Sequence, residues 1–246
     1  MAVRNIKLTI AYDGTDYHGW QGQPGMKTVQ GTLHDALLRL TSQSVRVNGS
    51  SRTDAGVHAL GQVANFHIDC AVPTENMAKA LSRLLPDDIT VAEAVEVAEG
   101  FDAISDTRGK LYRYMIYTGD IRPVMDIRYC WHRQGRLDID AMKAAAGLFA
   151  GTKDFKSFAG AADQRLDSVR TVSRCEITKE ESWIYVDVAG DGFLYNMVRN
   201  IVGTLVEVGR GRWKPAIISE ILAAKDRSAA GPTAPASGLC LMRIWY

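Results

Sequence analysis

Ser50-Ser51-Arg52-Thr53-Asp54-Ala55-Gly56-Val57-His58-Ala59 gathers a guanidinium, a carboxylate and an imidazole among residues too small and too polar for a buried element. The run lies between two strand-like stretches and reads as an irregular loop held by a scaffold, the setting in which functional groups concentrate. Arg52 and Asp54 stand two apart with Thr53 between them. Two readings of that triplet stay open. One is a turn in which Asp54 bonds its own backbone; the other is a carboxylate poised as nucleophile or general base, with Arg52 aimed at a phosphate. A second unusual run, Tyr12 to Gln23, is dense in Gly, aromatic and hydrogen-bonding residues and holds Asp13, Asp16 and His18 within six positions. No helical or hairpin spacing brings those three together, so a turn accounts for the acids better than a metal site does. Gly192-Phe193-Leu194-Tyr195-Asn196-Met197-Val198-Arg199 opens the most apolar helix of the chain, with Arg199 on the flank of its buried stripe. A cation there is costly unless paired, which predicts a carboxylate partner elsewhere, and Asp54 is a candidate.

Between 108 and 136 stand seven cations, Arg108, Lys110, Arg113, Arg122, Arg128, Arg133 and Arg136, against only Asp120 and Asp126. Tyr112, Tyr114, Tyr117, Tyr129 and Trp131 are interleaved with them. Cations for phosphates and aromatics for stacking on bases are what an RNA-binding face requires. A strand with one solvated face explains the pattern equally well. Over the whole chain 29 Lys and Arg meet 28 Asp and Glu, a net charge of +1, so no global field attracts nucleic acid or an anionic membrane. The charge is uneven, however. Residues 1–110 hold 10 cations and 13 acids, which leaves 19 against 15 in the remainder and makes the second half the basic one.

Loops of this kind need elements to position them. Residues 3–11 alternate and are rich in Val, Ile and Leu, predicting a strand that ends at the turn pair Asp13-Gly14. Val29, Leu33, Leu37 and Leu40 recur at helical spacing after Thr28, a candidate N-cap, predicting a helix over 28–41. Short strands follow near 45–50 and 62–68. A second helix begins near Pro73-Thr74, carries Met77, Leu81 and Leu84 on one face and stops at Pro86; strands near 89–97 and 110–117 complete the first half. In the second half Asp138 caps a helix over 139–149, strands read near 170–178 and 182–189, and a helix near 194–208 carries Val198, Ile201, Val202, Leu205 and Val206. A further helix follows Pro215 with Ile217, Ile218, Ile221 and Leu222, and a strand over 239–245 closes the chain. Both halves run helix, strand, strand, helix, strand without any residue-level repeat. This order predicts an α+β fold of two tandem ferredoxin-like halves, 1–108 and 109–246, each a helix layer against a mostly antiparallel sheet.

With 246 residues, 46% hydrophobic and 23% charged, the composition is that of a folding globular chain and excludes collagenous, low-complexity and largely disordered character. No apolar run reaches the ~18 residues of a membrane span, and the charged start reads as neither signal peptide nor anchor, predicting a cytoplasmic protein. Cys70, Cys130, Cys175 and Cys240 lie far apart with no C-x-x-C pairing and read as buried reduced thiols, ahead of a zinc site or a disulfide framework.

Six segments then carry a resemblance. Y-D-G-T-x-Y-x-G-W-Q-x-Q at 12–23, S-R-T-D-A-G-V-H-A-x-x-Q at 51–62, Y-R-Y at 112–114, D-F-x-S-F at 154–158, F-L-Y-N-M-V-R-N-I-V-G at 193–203 and G-P-T-A-P-A-x-G-L at 231–239 together resemble the tRNA pseudouridine synthase A family, in family order. The resemblance implies isomerisation of uridine to pseudouridine at positions 38 to 40 of the tRNA anticodon stem-loop, without cofactor or metal. It also implies a homodimer of two-domain subunits with RNA across a basic cleft, the active site lying between the halves. Carried over by residue, Asp54 matches the catalytic aspartate, Tyr112 the tyrosine that packs on the target base, and Arg199 the arginine paired with that aspartate. Leu239 matches the apolar pocket residue and Arg52 the arginine linked with base extrusion. Ser51 stands where the family usually has Gly, so the loop backbone must there suit a Cβ. Phe101-Asp102-Ala103-Ile104-Ser105 keeps the Phe and Ala of a typical F-x-A-R-F segment but lacks its Arg and second Phe, which leaves one RNA contact open.

The chemistry suits these parts. The N1 bond must break, the uracil turn and C5 rejoin the sugar, with no redox carrier required. An arginine beside the aspartate would keep its carboxylate charged and oriented, and a tyrosine and a leucine would wall a water-poor pocket for a flipped base. The competing classes are a non-catalytic RNA-binding module, with Asp54 and Arg199 as a structural ion pair, and a metal-dependent nuclease, against which the lack of an acid cluster beyond Asp13 and Asp16 counts.

Overall fold

The computed structural model describes residues 3–163 and 165–246; Met1 and Ala2, part of the start read above for a leader, lie outside them. In chain order the elements are β1 (Arg4–Tyr12), α1 (Val29–Thr41), β2 (Asn48–Gly49), β3 (His58–Ile68), α2 (Thr74–Leu84) and β4 (Ile89–Val97). There follow β5 (Gly109–Tyr117), β6 (Trp131–His132), α3 (Ile139–Gly147), β7 (Gly151–Asp154), β8 (Val169–Glu180), β9 (Trp183–Gly190), α4 (Met197–Gly209), α5 (Ile217–Ala224) and β10 (Leu239–Trp245). They form two compact units, Met1–Arg108 with Cys240–Tyr246, and Gly109–Leu239. The closing strand, assigned from sequence to the second half, groups from Cys240 onward with the first.

In the first unit β1 lies antiparallel to both β3 and β4, β2 is antiparallel to β3, and β10 runs parallel to β3 through Cys240 opposite His58. Ile6, Leu8, Ile10 and Tyr12 of β1 are buried while the residues between them are partly exposed, the period-two pattern of a sheet with one covered face. Val29, Leu33, Ala36 and Leu37 of α1 and Met77 and Leu81 of α2 supply the helical side of that core. Thr28 caps α1 as its position predicts, its hydroxyl accepting the Gly31 N–H at 3.2 Å. The stretch read as a strand over 45–50 narrows to Asn48–Gly49, whereas β3 begins four residues earlier than expected, at His58. Pairing with β10 there extends the strand, a contact of residues far apart in the chain.

The second unit is an antiparallel sheet in the order β5-β9-β8-β7, with β6 parallel to β5 at its Ile116 and Tyr117. Met142, Ala145 and Ala146 of α3 and nearly all of α4 are buried. Asp138 caps α3, accepting from the Ala141 N–H at 2.9 Å. The helix read over 194–208 begins at Met197, because Asn196 takes a left-handed φ of 59° and cannot belong to it. Each unit is thus a mostly antiparallel sheet flanked by helices. Among the described residues no helix is long and apolar enough to cross a membrane. Cys130, Cys175 and Cys240 are buried and Cys70 partly so, none in a disulfide; burial pushes the Cys130 thiol up to about 11.

Candidate active site

The Asp54 loop is clamped from two directions within the first unit. Gln62, fully buried on β3, accepts the Ser51 N–H at 3.2 Å and returns its own N–H to the Ser51 carbonyl at 2.7 Å. The Thr53 hydroxyl bonds the Tyr12 phenol at 2.7 Å, and the Thr53 carbonyl accepts the Trp20 N–H at 3.0 Å. Asp54 itself is half-buried and opens a turn in which its carbonyl accepts the Val57 N–H at 3.1 Å; Gly56, with φ +77°, takes the position where only a residue without Cβ is unstrained. Arg52 is exposed beside it. Ser51 is buried without a left-handed φ, so the loop accommodates its Cβ in place of glycine.

The glycine-rich run at 12–23 turns out to be the buttress of this loop. A Cβ on Gly14 would stand 2.0 Å from the Val57 carbonyl oxygen, and one on Gly19, where φ is +85°, would stand 2.6 Å from that of Thr53. The two backbones touch, and the Gly14 N–H donates to His58 Nδ1 at 3.0 Å. Asp13 closes its own turn, accepting the Thr15 N–H at 2.9 Å. Among the described residues no group of three His, Cys, Asp or Glu side chains is placed to share a metal. Sequence reading missed the clamping roles of Gln62, Tyr12 and Trp20; the density of glycine and aromatics beside a polar loop was the signal.

In the second unit four of the resembling segments converge. Arg199 is half-buried on α4, with Nε donating to the Ala234 carbonyl at 2.8 Å and Nη1 to Asn196 Oδ1 at 2.7 Å. Gly203 and Gly231 let the 231–235 segment lie directly on α4, since a Cβ on Gly203 would meet the Pro232 oxygen at 1.7 Å. Asn200 bonds the Phe158 carbonyl at 2.8 Å and accepts the Thr233 hydroxyl at 2.7 Å, tying the D-F-x-S-F segment to both. Tyr112 and Tyr114 share the buried face of β5; Tyr114 donates to the Pro235 carbonyl at 2.8 Å, and the Phe193 ring packs edge-on against Tyr112 at 5.4 Å. Leu239, buried, follows Gly238, where a Cβ would strike the Tyr114 ring at 2.5 Å. The structure therefore gathers Arg52 with Asp54 on one loop, and sets Tyr112, Arg199 and Leu239 on elements joined by the 231–239 segment.

Asp154 of the D-F-x-S-F segment has its carboxyl held down at about 2, first by the Ser168 hydroxyl at 2.6 Å and then by the Lys225 ammonium at 2.9 Å. Because the folded value lies below the ordinary ~3.9, this stabilisation is present above that value and fades as pH falls through about 2. Asp154→Asn is expected to cost roughly 1 to 2 kcal/mol at pH 7, discounted for partial exposure, and almost nothing at pH 2. Urea titrations at the two pH values check it; an equal loss at both would remove the charge from the explanation.

The basic stretch divides. Arg113 forms a two-bond pair with Asp187 across the β5–β9 ladder, both bonds at 2.8 Å, so its charge is already engaged within the sheet. Arg108 is exposed. Arg113→Ala is therefore expected to leave the salt dependence of tRNA binding unchanged, whereas Arg108→Ala lowers its slope by roughly 0.7 to 0.9. Filter binding from low to moderate salt separates them, and equal slopes would class Arg108 as a solvated-face charge. The Phe101–Ser105 segment divides likewise. The Phe101 carbonyl accepts from Asn5 and Asn65 and the Ala103 N–H donates to Asn65, while Ile104 and Ser105, which stand where the family motif has Arg and Phe, are exposed.

Comparison with known proteins places these features in a family. A family model described as tRNA pseudouridine synthase matches residues 8–104 and 145–246. The protein named tRNA pseudouridine synthase A of Acetivibrio thermocellus is 46% identical over 244 residues, 99% of this chain and 100% of that one. Its namesake in Moorella thermoacetica is 47% identical over 243 residues, 98% of this chain and 99% of that one. Among solved structures, a chain of an archaeal box H/ACA sRNP Nop10–Cbf5 complex aligns with 82% of this chain and 44% of its own length, at 12% identity and a TM-score of 0.35.

Proposed function

Since the chain belongs to the tRNA pseudouridine synthase family, we propose that it isomerises uridine to pseudouridine in tRNA, at positions 38 to 40 of the anticodon stem-loop. The observation that carries this is identity of 44 to 47% along essentially the whole chain to proteins bearing one name. The N1–C1′ bond breaks, the uracil turns, C5 bonds C1′, the C5 proton leaves and N1 gains one, so substrate and product are isomers. Asp54 is the catalytic carboxylate, on a loop whose backbone is clamped through Ser51 and Thr53 and leaves the aspartate half-buried. Tyr112 packs on the target base, Leu239 supplies an apolar wall, Arg52 assists extrusion of the nucleotide, and Arg199 pairs with the aspartate. The reading includes a cytoplasmic homodimer of tandem ferredoxin-like halves. Its ferredoxin-like part alone draws support from the first unit, from the β-α-β-β-α-β order with strands arranged β4-β1-β3-β2.

Tritium release from C5-labelled uridine in tRNA tests the activity. Release confined to tRNAs with uridine at 38 to 40 is expected; binding without release would make the chain an RNA-binding module. The pairing of Asp54 with Arg199 is tested by a double-mutant cycle of Asp54→Asn and Arg199→Ala read on stability. Arg199→Ala alone should cost about 1 to 3 kcal/mol through its lost bonds, and coupling well above the ~0.5 kcal/mol of independent sites is expected. Additivity would remove the pair.

A further inference from the structure

Asn196 stands at the N-cap of α4 without capping it. An N-cap residue ordinarily has an extended backbone and turns its side-chain oxygen onto an N–H two or three residues on. Here φ is 59° and ψ is 4°, the left-handed region, and among the described residues the side chain makes no capping bond. Glycine would suit that backbone better, and serine, threonine or aspartate would cap the helix better in the extended form. What the asparagine amide holds instead is a side chain. Its Oδ1 accepts Arg199 Nη1 at 2.7 Å, while Arg199 Nε donates to the Ala234 carbonyl at 2.8 Å and the Arg199 carbonyl accepts the Ala234 N–H at 3.2 Å. Acceptors on two nitrogens of a planar group fix its plane. Both of these are uncharged, so they orient the guanidinium without cancelling its charge. The turn around Asn196 is held by bonds that do not use its side chain. The Gly160 N–H donates to the Tyr195 carbonyl at 2.6 Å, Asp163 Oδ2 accepts the Tyr195 N–H at 2.7 Å, and the Asn196 carbonyl accepts the Asn200 N–H at 2.9 Å. Gly160 also presses close, since a Cβ there would lie 2.6 Å from the Tyr195 ring and 3.1 Å from Asn196 Nδ2. Backbone strain at a non-glycine residue persists only where the surroundings impose it, and it collects at functional sites.

We propose that Asn196 is a positioning residue for the isomerisation: its carboxamide, an uncharged acceptor on a left-handed N-cap, sets the orientation in which Arg199 meets its carboxylate partner. This deepens the functional reading above and rests on it, through the role given there to Arg199. Glycine at 196 would relax the backbone and remove one hold on the guanidinium. Aspartate would keep the hydrogen bond but draw the charge of Arg199 to itself.

The test uses the full chain, with tritium release from C5-labelled uridine in tRNA as the first readout. Asn196→Gly should lower kcat about 10²-fold with KM within about threefold, while the melting temperature stays within a few degrees of wild type or rises. Glu181→Gly, at an exposed turn residue with a left-handed φ of 52°, is the control and should change neither kcat nor KM. In an Arg199→Lys background Asn196→Gly should cost less than about threefold, because no guanidinium is left to orient. The second readout is nuclear magnetic resonance on protein with isotope-labelled arginine. Separate Nη signals of Arg199, assigned by their loss in Arg199→Lys, should merge in Asn196→Gly and stay separate in Asn196→Asp. Asn196→Asp should nonetheless lose about tenfold in kcat, since its charge competes for the guanidinium. Asn196→Gly with kcat within about twofold of wild type would overturn the proposal, as would an undiminished loss in the Arg199→Lys background or unchanged Arg199 signals. Should Asn196→Gly fail to fold, Asn196→Asp carries the comparison, and wild-type kcat there would overturn it. Absence of tritium release from wild type would defeat the isomerase reading, whereas the Arg199 signals still report whether Asn196 orients that side chain, so the two failures are distinguishable.

Discussion

Asp54→Asn is expected to lower single-turnover release of tritium by more than about 10³-fold, while thermal stability and tRNA affinity stay close to wild type. The amide has the shape of the carboxylate but can neither attack carbon nor take a proton. The loop should survive the change, because its clamps run through Ser51, Thr53 and Gln62, and its turn closes through the Asp54 carbonyl onto the Val57 N–H. Circular dichroism melts and fluorescence anisotropy with anticodon-arm RNA supply the two controls. Residual turnover within about tenfold, a barrier change of only ~1.4 kcal/mol, would exclude both a covalent and a proton-transfer role for Asp54.

Gly14→Ala is expected to be nearly as damaging although residue 14 carries no chemistry. Its φ is not left-handed, so alanine is permitted by conformation and excluded only by space. The new Cβ would lie 2.0 Å from the Val57 oxygen and 2.6 Å from its carbonyl carbon, both backbone atoms that no side-chain rotation can move. Val57 closes the Asp54 turn, so separating the two backbones displaces the carboxylate. Overpacking of this kind costs about 1 to 3 kcal/mol or more, and a displacement near 1 Å costs on the order of 10²-fold in kcat. Gly100→Ala, at a position with nothing within 4 Å, serves as control and should stay within about 0.5 kcal/mol of wild type. A Gly14→Ala variant with wild-type kcat would mean that the 12–23 run does not position Asp54.

Local order needed little beyond the sequence. Helices α1 and α2 stand where the spacing of Val29, Leu33 and Leu37 and of Met77 and Leu81 puts them; Thr28 and Asp138 cap helices as their side chains dictate, and α2 ends before Pro86 because Leu85 must be extended there. These features depend on residues within one or two turns of each other. The chemical inventory, a polar loop with Arg52 and Asp54, aromatic β5 and the Arg199 helix, is likewise a matter of residue type and is written along the chain. What tertiary structure alone decided is which of those groups are committed elsewhere. Arg113 looked like any other cation of the basic stretch until the β5–β9 register set it opposite Asp187. Gln62 looked like a strand residue until β3 turned its amide onto Ser51, and Gly14 and Gly19 looked like turn glycines until the 12–23 run came to lie on the Asp54 loop. β10 joins the first unit by pairing with β3, about 180 residues earlier in the chain. Register, backbone approach and strand pairing are contacts between distant segments. No local preference encodes them, because their energy appears only when both partners are already in place.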